Sequence, residues 1–491
     1  MFEVKLNERD FEYDIHSLIR AFYPGMDVAV SVSGEEKEDG TERPEHTLQV
    51  TYAEDRIELV LSGEDGSETD RSSRELSAQA DRKERKNALK SLLYEMLREE
   101  TGADLPWGNL TGIRPVKIPM ALLEEGWEPE QIAEHMQKTY YTTEKKTGLA
   151  LSIAQRERQI LKEIDYEKGY SLYVGIPFCP SICLYCSFSS SPIGVWKKEV
   201  EAYLQALIHE IEESAHIYAG EKLQTVYIGG GTPTTLEPDQ LHRLLCALED
   251  NFDFSHLLEF TVEAGRPDSI TAEKLKVLRE HGISRISINP QTMKDETLKI
   301  IGRHHTVEQT KWAFRLAREM GFDNINMDLI VGLPGEDYED VKKTLQEVTA
   351  LDPDSITVHS LALKRAARLT IFKDQYQEMT FTNNQEIMDM AEQMARDAGQ
   401  YPYYLYRQKN MAGNFENVGY AKENAAGIYN ILIMEEKQSI LALGAGAVTK
   451  RVRGELITRS ENVKDIRNYI DRIDEMIERK KRLMEQDSDG R

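Results

Sequence analysis

The sequence predicts an α/β protein: an open, partial (β/α)6 barrel, with an N-terminal α+β domain before it and a short α-helical C-terminal extension after it. Three observations predict this. From Ser171 onward, short apolar strands alternate with amphipathic helices. Such alternation implies a parallel sheet covered by helices. Before Ser171 the pattern differs, mixing isolated strands, helices and charged loops. The residues suited to chemistry follow the strands, and parallel α/β folds gather function at those ends. The expected divisions are residues 1–165, 166–400 and 401–491.

The N-terminal part reads in order as follows. Glu3–Leu6 suits a strand and Asp10–Phe22 a helix. Thr47–Tyr52 and Arg56–Leu61 alternate well enough for paired strands. Ser33–His46 and Ser62–Glu75 are polar and charged, and are expected to be turns or loops. Asp81–Glu100 carries a helical stripe of Leu89, Leu92, Leu93, Met96 and Leu97. Asp104–Lys117, rich in turn formers, is either a docking loop or an ordinary packed connection. Pro129–Lys138 and Glu144–Tyr166 continue as helices.

The barrel strands are expected at Leu172–Ile176, Thr225–Ile228, Glu259–Glu263, Arg285–Asn289, Asn324–Leu329 and Ser355–Ser360. Helices fill the gaps: Lys198–Ala219, Pro238–Asn251, Thr271–Glu280, Asp295–Ile301, Val307–Met320 and Tyr338–Ala350.

Composition narrows the function classes. The chain has 491 residues, too many for one small core. Its net charge is −24, from 85 acidic and 61 basic residues, and no long basic stretch offsets this. Binding along a nucleic-acid backbone is therefore not expected. The N-terminus lacks the basic and apolar regions of a signal peptide, and no apolar run is long enough to span a bilayer. Four cysteines, three of them clustered, argue for a reducing compartment. A cytoplasmic protein is expected.

The three clustered cysteines are the most specific signal. Cys179, Cys183 and Cys186 form C-x3-C-x2-C directly after the first barrel strand. Three thiolates can hold three irons of a [4Fe–4S] cubane and leave the fourth iron open for a small molecule. Radical S-adenosylmethionine (SAM) chemistry uses such an open corner. A structural zinc site wants four ligands, and a bacterial ferredoxin run supplies a fourth cysteine nearby. Three buried apolar cysteines are the plainer alternative. Cys246 lies far downstream in a helical pattern and is expected in the core.

Other strand ends carry a second set. Gly229–Gly231 follow the second strand and remove side chains where a ligand needs backbone contact, their amides being able to bond a methionine moiety. Glu263 ends the third strand. It suits either an acceptor for a ligand ammonium or ribose hydroxyl, or one half of a structural ion pair. Gln291, Arg303 and Asp328 make a polar set on later loops, and Arg303 can grip a carboxylate at two points. His304 and His305 are expected at the surface.

Taken together, these motifs resemble the radical SAM family of oxygen-independent coproporphyrinogen III oxidases (dehydrogenases). The resemblance runs from about Tyr173 to about Thr449. It rests on the Tyr-x-x-Ile-Pro-Phe-Cys entry, the Gly-Gly-Gly-Thr-Pro-Thr loop, Gly-Leu-Pro-Gly-Glu at 332–336 and Leu-Gly-Ala-Gly-Ala at 443–447. The pattern departs at Gly175, where the family usually has histidine, and at Phe188, where true oxidases often carry a further cysteine.

The resemblance implies a radical SAM barrel with a [4Fe–4S] cluster on Cys179, Cys183 and Cys186. It implies that Tyr173, Gly230 and Glu263 hold the cluster-bound SAM. Gly231, Thr232, Tyr185, Gln291, Arg303, Asp328 and Ala362 match positions lining a second SAM or substrate-side site. The implied activity converts propionates of coproporphyrinogen III to vinyl groups, giving protoporphyrinogen IX. A flavodoxin- or ferredoxin-like donor would supply electrons. Two alternatives stay open: a heme-binding or heme-delivery protein on the same fold, and a radical SAM enzyme acting on another substrate. Cations for propionates could come from Arg303, Lys364, Arg365, Arg368, Arg407 and Lys409. An axial heme ligand could come from His359 or Met411.

Overall fold

The computed structural model describes all residues except 34–42, 78, 113, 363–381, 409–414, 455 and 489–491. It divides into two compact units, Met1–Ser152 and Ile153–Arg491.

Among the described residues, the first unit is built on a five-stranded sheet. Its strands are β1 (Phe2–Leu6), β2 (Val28–Val32), β3 (His46–Tyr52), β4 (Arg56–Gly63) and β5 (Glu68–Glu75), in the order β2-β1-β3-β4-β5. Helices α1 (Glu12–Phe22) and α2 (Arg82–Thr101) bury Ile15, Leu18, Ile19, Leu89, Leu93 and Leu97 against it. Asp81 and Glu84 start α2 with a reciprocal capping box. The expected loop over Ser62–Glu75 is therefore corrected. Residues 68–75 form an edge strand pairing antiparallel with β4. Its sequence, ETDRSSRE, has no apolar residue, so no hydrophobic alternation announces it. Cross-strand ion pairs replace that signal, as between Arg71 and Glu58 at 2.7 Å.

The second unit contains the predicted barrel. Strands β6 (Gly169–Ile176), β7 (Lys222–Gly230), β8 (Glu259–Glu263), β9 (Arg285–Ser287), β10 (Ile325–Val331) and β11 (Ser355–Ser360) pair in parallel, each with the next. The helices between them include α3 (Val200–Ser214), α4 (Pro238–Asn251), α5 (Ala272–Glu280), α6 (Val307–Glu319) and α7 (Tyr338–Ala350). Glu259–Glu263, Ser355–Ser360, Pro238–Asn251 and Tyr338–Ala350 have the bounds the sequence predicts.

Strands beyond residue 400 extend both edges of this sheet. After β11 come β12 (Tyr401–Tyr406) and β13 (Asn417–Ala421), and β13 pairs antiparallel with β11. At the other edge β14 (Ser439–Leu443) pairs in parallel with β6, followed by the hairpin β15 (Val448–Arg453) and β16 (Leu456–Glu461). Among the described residues the sheet thus has eleven strands. The helical tail is present as Ile466–Asp471 and Ile473–Ser488.

The Gly-Ala-Gly stretch after β14 lies against the strand feeding the cysteine loop. Gly444 has φ +99, and a Cβ there would stand 2.4 Å from the Gly175 carbonyl oxygen. Only glycine fits such a position. A buried ion pair secures the stretch. Lys480 Nζ lies 2.6 Å from Glu210 Oε1, both side chains at most 1% exposed, and the Gly444 amide donates to Glu210 Oε2 at 2.7 Å. Tyr469 and Asn462 satisfy the same carboxylate. A fully bonded network of this kind tolerates burial that an isolated charge would not.

Candidate active site

The cysteine loop leaves the end of β6 and is held from three sides. Phe178 and Cys179 pair with Ser191 and Pro192, closing the loop on itself. The Leu184 amide donates to Ile301 O at 2.9 Å, and Ser181 Oγ donates to Gly302 O at 2.7 Å. Arg266, 3% exposed, donates to Ser181 O at 3.2 Å and reaches Cys183 Sγ at 3.8 Å. Thr232 Oγ1 donates to Cys179 Sγ at 3.4 Å. Burial pushes the Cys179 and Cys186 thiols up. Nearby donors and cations of this kind favour the thiolates that metal ligation requires.

The spacing of the thiols bears on what they can hold. Among the described residues, the trio of ligand atoms lying within 4.8 Å of one another is elsewhere, at His242, Cys246 and His281. The sulfurs of Cys179, Cys183 and Cys186 do not all fall within that spacing. Three thiolates on one zinc ion would stand about 3.8 Å apart, given bonds of about 2.3 Å. A wider triangle fits a cluster in which each thiolate takes a different iron.

The glycine loop packs directly on the cysteine loop. The Gly231 amide donates to Ile176 O and the Thr232 amide to Phe178 O, both at 2.7 Å. A Cβ on Gly231 would come within 2.6 Å of Phe178 O. The expectation that these glycine amides bond a ligand is corrected at Gly231, whose N–H is already used. There the missing side chain serves close packing of two loops.

Glu263 stands at the end of β8 in a ring of donors. Ser287 Oγ donates to Oε1 at 3.1 Å, Asn289 Nδ2 donates to Oε2 at 3.2 Å, and the Tyr227 hydroxyl also donates to Oε1. Tyr173 stacks on Tyr227 with centroids 6.3 Å apart. No basic residue pairs with Glu263 among the described ion pairs. Burial, with the charge of Asp328, raises its pKa. Asp328 behaves oppositely. Burial alone would raise it, but His359 beside it and bonds from Asn326 and Thr357 hold it below the ordinary range. Two carboxylates with environments this different are suited to different tasks.

The remaining predicted residues complete the same wall. Gln291 has φ +66, uncommon for a residue with a side chain. Its amide donates to Asp328 O and its carbonyl accepts from Ile330, both at 2.9 Å, which fixes this conformation. Arg303 donates to Asn289 O and, at 3.4 Å, to Gly265 O. Its guanidinium also meets the Tyr185 and Cys183 side chains. Gln291 Oε1 and Arg303 Nε are buried polar atoms without a protein partner. Such atoms are costly unless a ligand satisfies them.

One cavity of about 390 Å³ is lined by all of these: Tyr173, Cys179, Cys183, Tyr185, Cys186, Gly230, Gly231, Thr232, Glu263, Gln291, Arg303, Asp328 and Ala362. Sequence reading missed Asn289, Tyr227, Arg266 and Tyr406, which line it too. Their signal was placement: Asn289 closes the predicted fourth strand, and Tyr227 shares a face with Gly229 two residues on. His359 lines the cavity, with Nε2 3.6 Å from Asp328 Oδ2 and Nδ1 3.3 Å from the Tyr406 hydroxyl.

Several expectations fall outside this wall. His305 is not at the surface. It is 3% exposed, whereas His304 is exposed. Cys246 is not in the core but half-buried. Arg407 is buried, and burial lowers its pKa to about 10. Lys364, Arg365, Arg368, Lys409 and Met411 lie outside the described residues.

Comparison with known proteins agrees with this geometry. Residues 173–348 match the Radical SAM superfamily. The oxygen-independent coproporphyrinogen-III oxidase-like protein HemZ of Bacillus subtilis is 40% identical over 410 residues, covering 82% of each chain. The chain belongs to this family. The heme chaperone HemW of Bacillus subtilis is 33% identical over 308 residues, covering 62% of this chain and 76% of that protein. The structure of coproporphyrinogen III oxidase (HemN) from Escherichia coli shares the fold. Its TM-score is 0.52 at 24% identity, covering 65% of this chain and 73% of that one. As a member of this radical SAM family, the protein uses a [4Fe–4S] cluster and SAM. The three thiols lining one cavity and the orphaned polar atoms in it fit that pair of groups. No helix among the described residues is long and apolar enough to cross a membrane.

Proposed function

We propose that the protein oxidatively decarboxylates the propionate side chains of coproporphyrinogen III, giving protoporphyrinogen IX. The observation carrying this reading is the single cavity that joins the three thiols to the Gln291–Asp328–His359–Tyr406 wall. The names of the HemZ and HemN relatives support the porphyrinogen class of substrate.

Cys179, Cys183 and Cys186 would hold the cluster, and Tyr173, Gly230 and Glu263 the SAM beside it. Together these groups supply, when bound, a carbon-centred radical able to remove a hydrogen atom from a propionate. Loss of carbon dioxide, with one electron passed to an external one-electron acceptor, would then leave a vinyl group, and two rounds would complete the conversion. A flavodoxin- or ferredoxin-like protein would deliver the starting electron.

The chain's own work is orientation and exclusion of water. Asp328, kept ionised by His359, suits the pyrrole N–H groups of a porphyrinogen as an acceptor. Gln291 Oε1 offers a further acceptor, and Arg303 Nε a donor for SAM or a carboxylate.

Anaerobic incubation with coproporphyrinogen III, SAM and a low-potential reductant tests the reading. The two rounds are expected to be stepwise, so a monovinyl species that keeps three propionates should precede the divinyl product in chromatography after oxidation. Similarity to a heme chaperone supports a second reading. Tight hemin binding with no vinyl product from an intact cluster would favour it.

A further inference from the structure

A second group of ligating side chains lies on the helices, apart from the cysteine loop. His242 and Cys246 are four residues apart on α4, so they share one face. His281 immediately follows α5 and turns toward them. His242 Nδ1 lies 2.8 Å from His281 Nε2, and Cys246 Sγ lies 3.9 Å from His242 Nδ1. The three ligand atoms all fall within 4.8 Å of one another.

This is coordination spacing. Tetrahedral zinc with bonds of about 2.0 Å to nitrogen and about 2.3 Å to sulfur sets nitrogen and sulfur about 3.6 Å apart, and two nitrogens about 3.3 Å apart. The sulfur–nitrogen separation is already close. The nitrogen–nitrogen contact needs to open by about half an ångström, which rotation of the exposed His242 ring allows.

A separate observation points the same way. Glu249 Oε1 lies 2.8 Å from His281 Nδ1. A carboxylate on Nδ1 holds the proton there and leaves the Nε2 lone pair facing His242 and Cys246. Metal-bound histidines carry this kind of partner on the far ring nitrogen.

We propose that His242, Cys246 and His281 form a second metal site, which takes a divalent cation of the zinc class, with Glu249 orienting His281. One thiolate and two imidazoles suit zinc among the common divalent ions, and three protein ligands leave one position for water. The bound ion would tie α4 to α5. These helices follow β7 and β8, the strands that end at Gly230 and Glu263. The site's role is therefore a clip behind two walls of the cavity.

The test uses holoprotein with its cluster assembled, dialysed anaerobically against zinc ions and a weak competing chelator. Metal analysis should find about one zinc per chain in addition to the iron. His242→Ala, Cys246→Ala and His281→Ala should each weaken zinc binding about a hundredfold or more and leave iron unchanged. Glu249→Gln should weaken it about tenfold. Zinc-edge X-ray absorption should show one sulfur and two imidazole nitrogens. Equal zinc in wild type and all three alanine variants would overturn the proposal. So would a zinc spectrum with three sulfurs, which would place the ion on the cysteine loop. His242 is exposed, so its alanine variant reports on ligation even if a buried change disturbs folding.

Discussion

Asn289 donates from Nδ2 to Oε2 of Glu263 at 3.2 Å, fixing the carboxylate across the gap between two strand ends. The same side chain accepts the Asp328 amide at 3.1 Å through Oδ1. One amide therefore sets the distance between two acids with opposite shifts. Asn289→Asp replaces a donor with a third carboxylate. We expect SAM affinity to fall at least about tenfold, the loss of a hydrogen bond to a charged group being worth about 1.5–3 kcal/mol. Equilibrium binding of SAM to cluster-loaded protein checks this, and unchanged affinity would remove Asn289 from the site.

Glu263 itself should matter more to SAM than to iron. It stands on β8, while the thiols stand on the loop after β6. Glu263→Ala should retain the iron content of the wild type and lose SAM binding. If affinity is kept, the ring of donors around Glu263 serves the fold alone.

The three loop cysteines should behave as a unit. Cys179→Ala, Cys183→Ala and Cys186→Ala should each abolish a stable cluster, and wild type should take up about four irons and four sulfides. Cys246→Ala should keep them, since Cys246 lies on α4, where its Sγ faces His242, and not on the cysteine loop. Iron and sulfide analysis after anaerobic reconstitution decides. Loss of the cluster in Cys246→Ala would sink the three-thiolate arrangement.

Arg303 is held more tightly than its sequence context suggests. Its guanidinium bridges the Asn289 and Gly265 carbonyls and meets the Tyr185 and Cys183 side chains. Arg303→Lys keeps the charge but cannot reach these groups at once. We expect turnover of porphyrinogen to drop about ten- to a hundredfold, or about 1.5–3 kcal/mol. Iron loading should change far less, and equal turnover would show that the planar fork is not needed.

His305 should make the fold acid-sensitive. Burial, reinforced by Arg303, holds its pKa down to about 3 against an ordinary 6.5. The unfolded chain takes up a proton below pH 6.5, and the folded chain does not. Stability is thus complete above pH 6.5 and falls as pH drops from there toward 3. At pH 5.5 the loss is about 1.4 kcal/mol. Thermal unfolding of holoprotein at pH 7.5 and 5.5 should show the decline, and His305→Gln should show less of it. An identical decline in the variant would assign the effect to other groups.

What was legible in the sequence follows from what burial writes into it. Glu259–Glu263 and Ser355–Ser360 are buried on both faces, so their runs stand out between polar helices. Cysteine spacing is likewise a local property. Glu68–Glu75 was illegible because an exposed edge strand needs no apolar residue. The burial of His305 was illegible because its neighbours are distant in sequence, among them Asp268 with Oδ1 3.8 Å from His305 Nδ1. Asn289 and Tyr227 meet Glu263 only when β7, β8 and β9 lie side by side. Cys246 looked like a core residue because its helix is amphipathic, yet the phase of that helix leaves it at the boundary.

The pairing of β6 with β14 has a consequence for how the protein matures. On one side β6 finds β7 soon after synthesis, but its other side waits for residues 439–443, more than half the chain later. Until then the strand that carries the cysteine loop is an exposed edge, open to wrong partners. Chains emerge at about 5–20 residues per second, so the wait is tens of seconds at the slower rates. Iron delivered during that interval would meet a loop whose backing strand is incomplete. A ribosome stalled before β14 would hold a chain with all three thiols but no finished wall behind them.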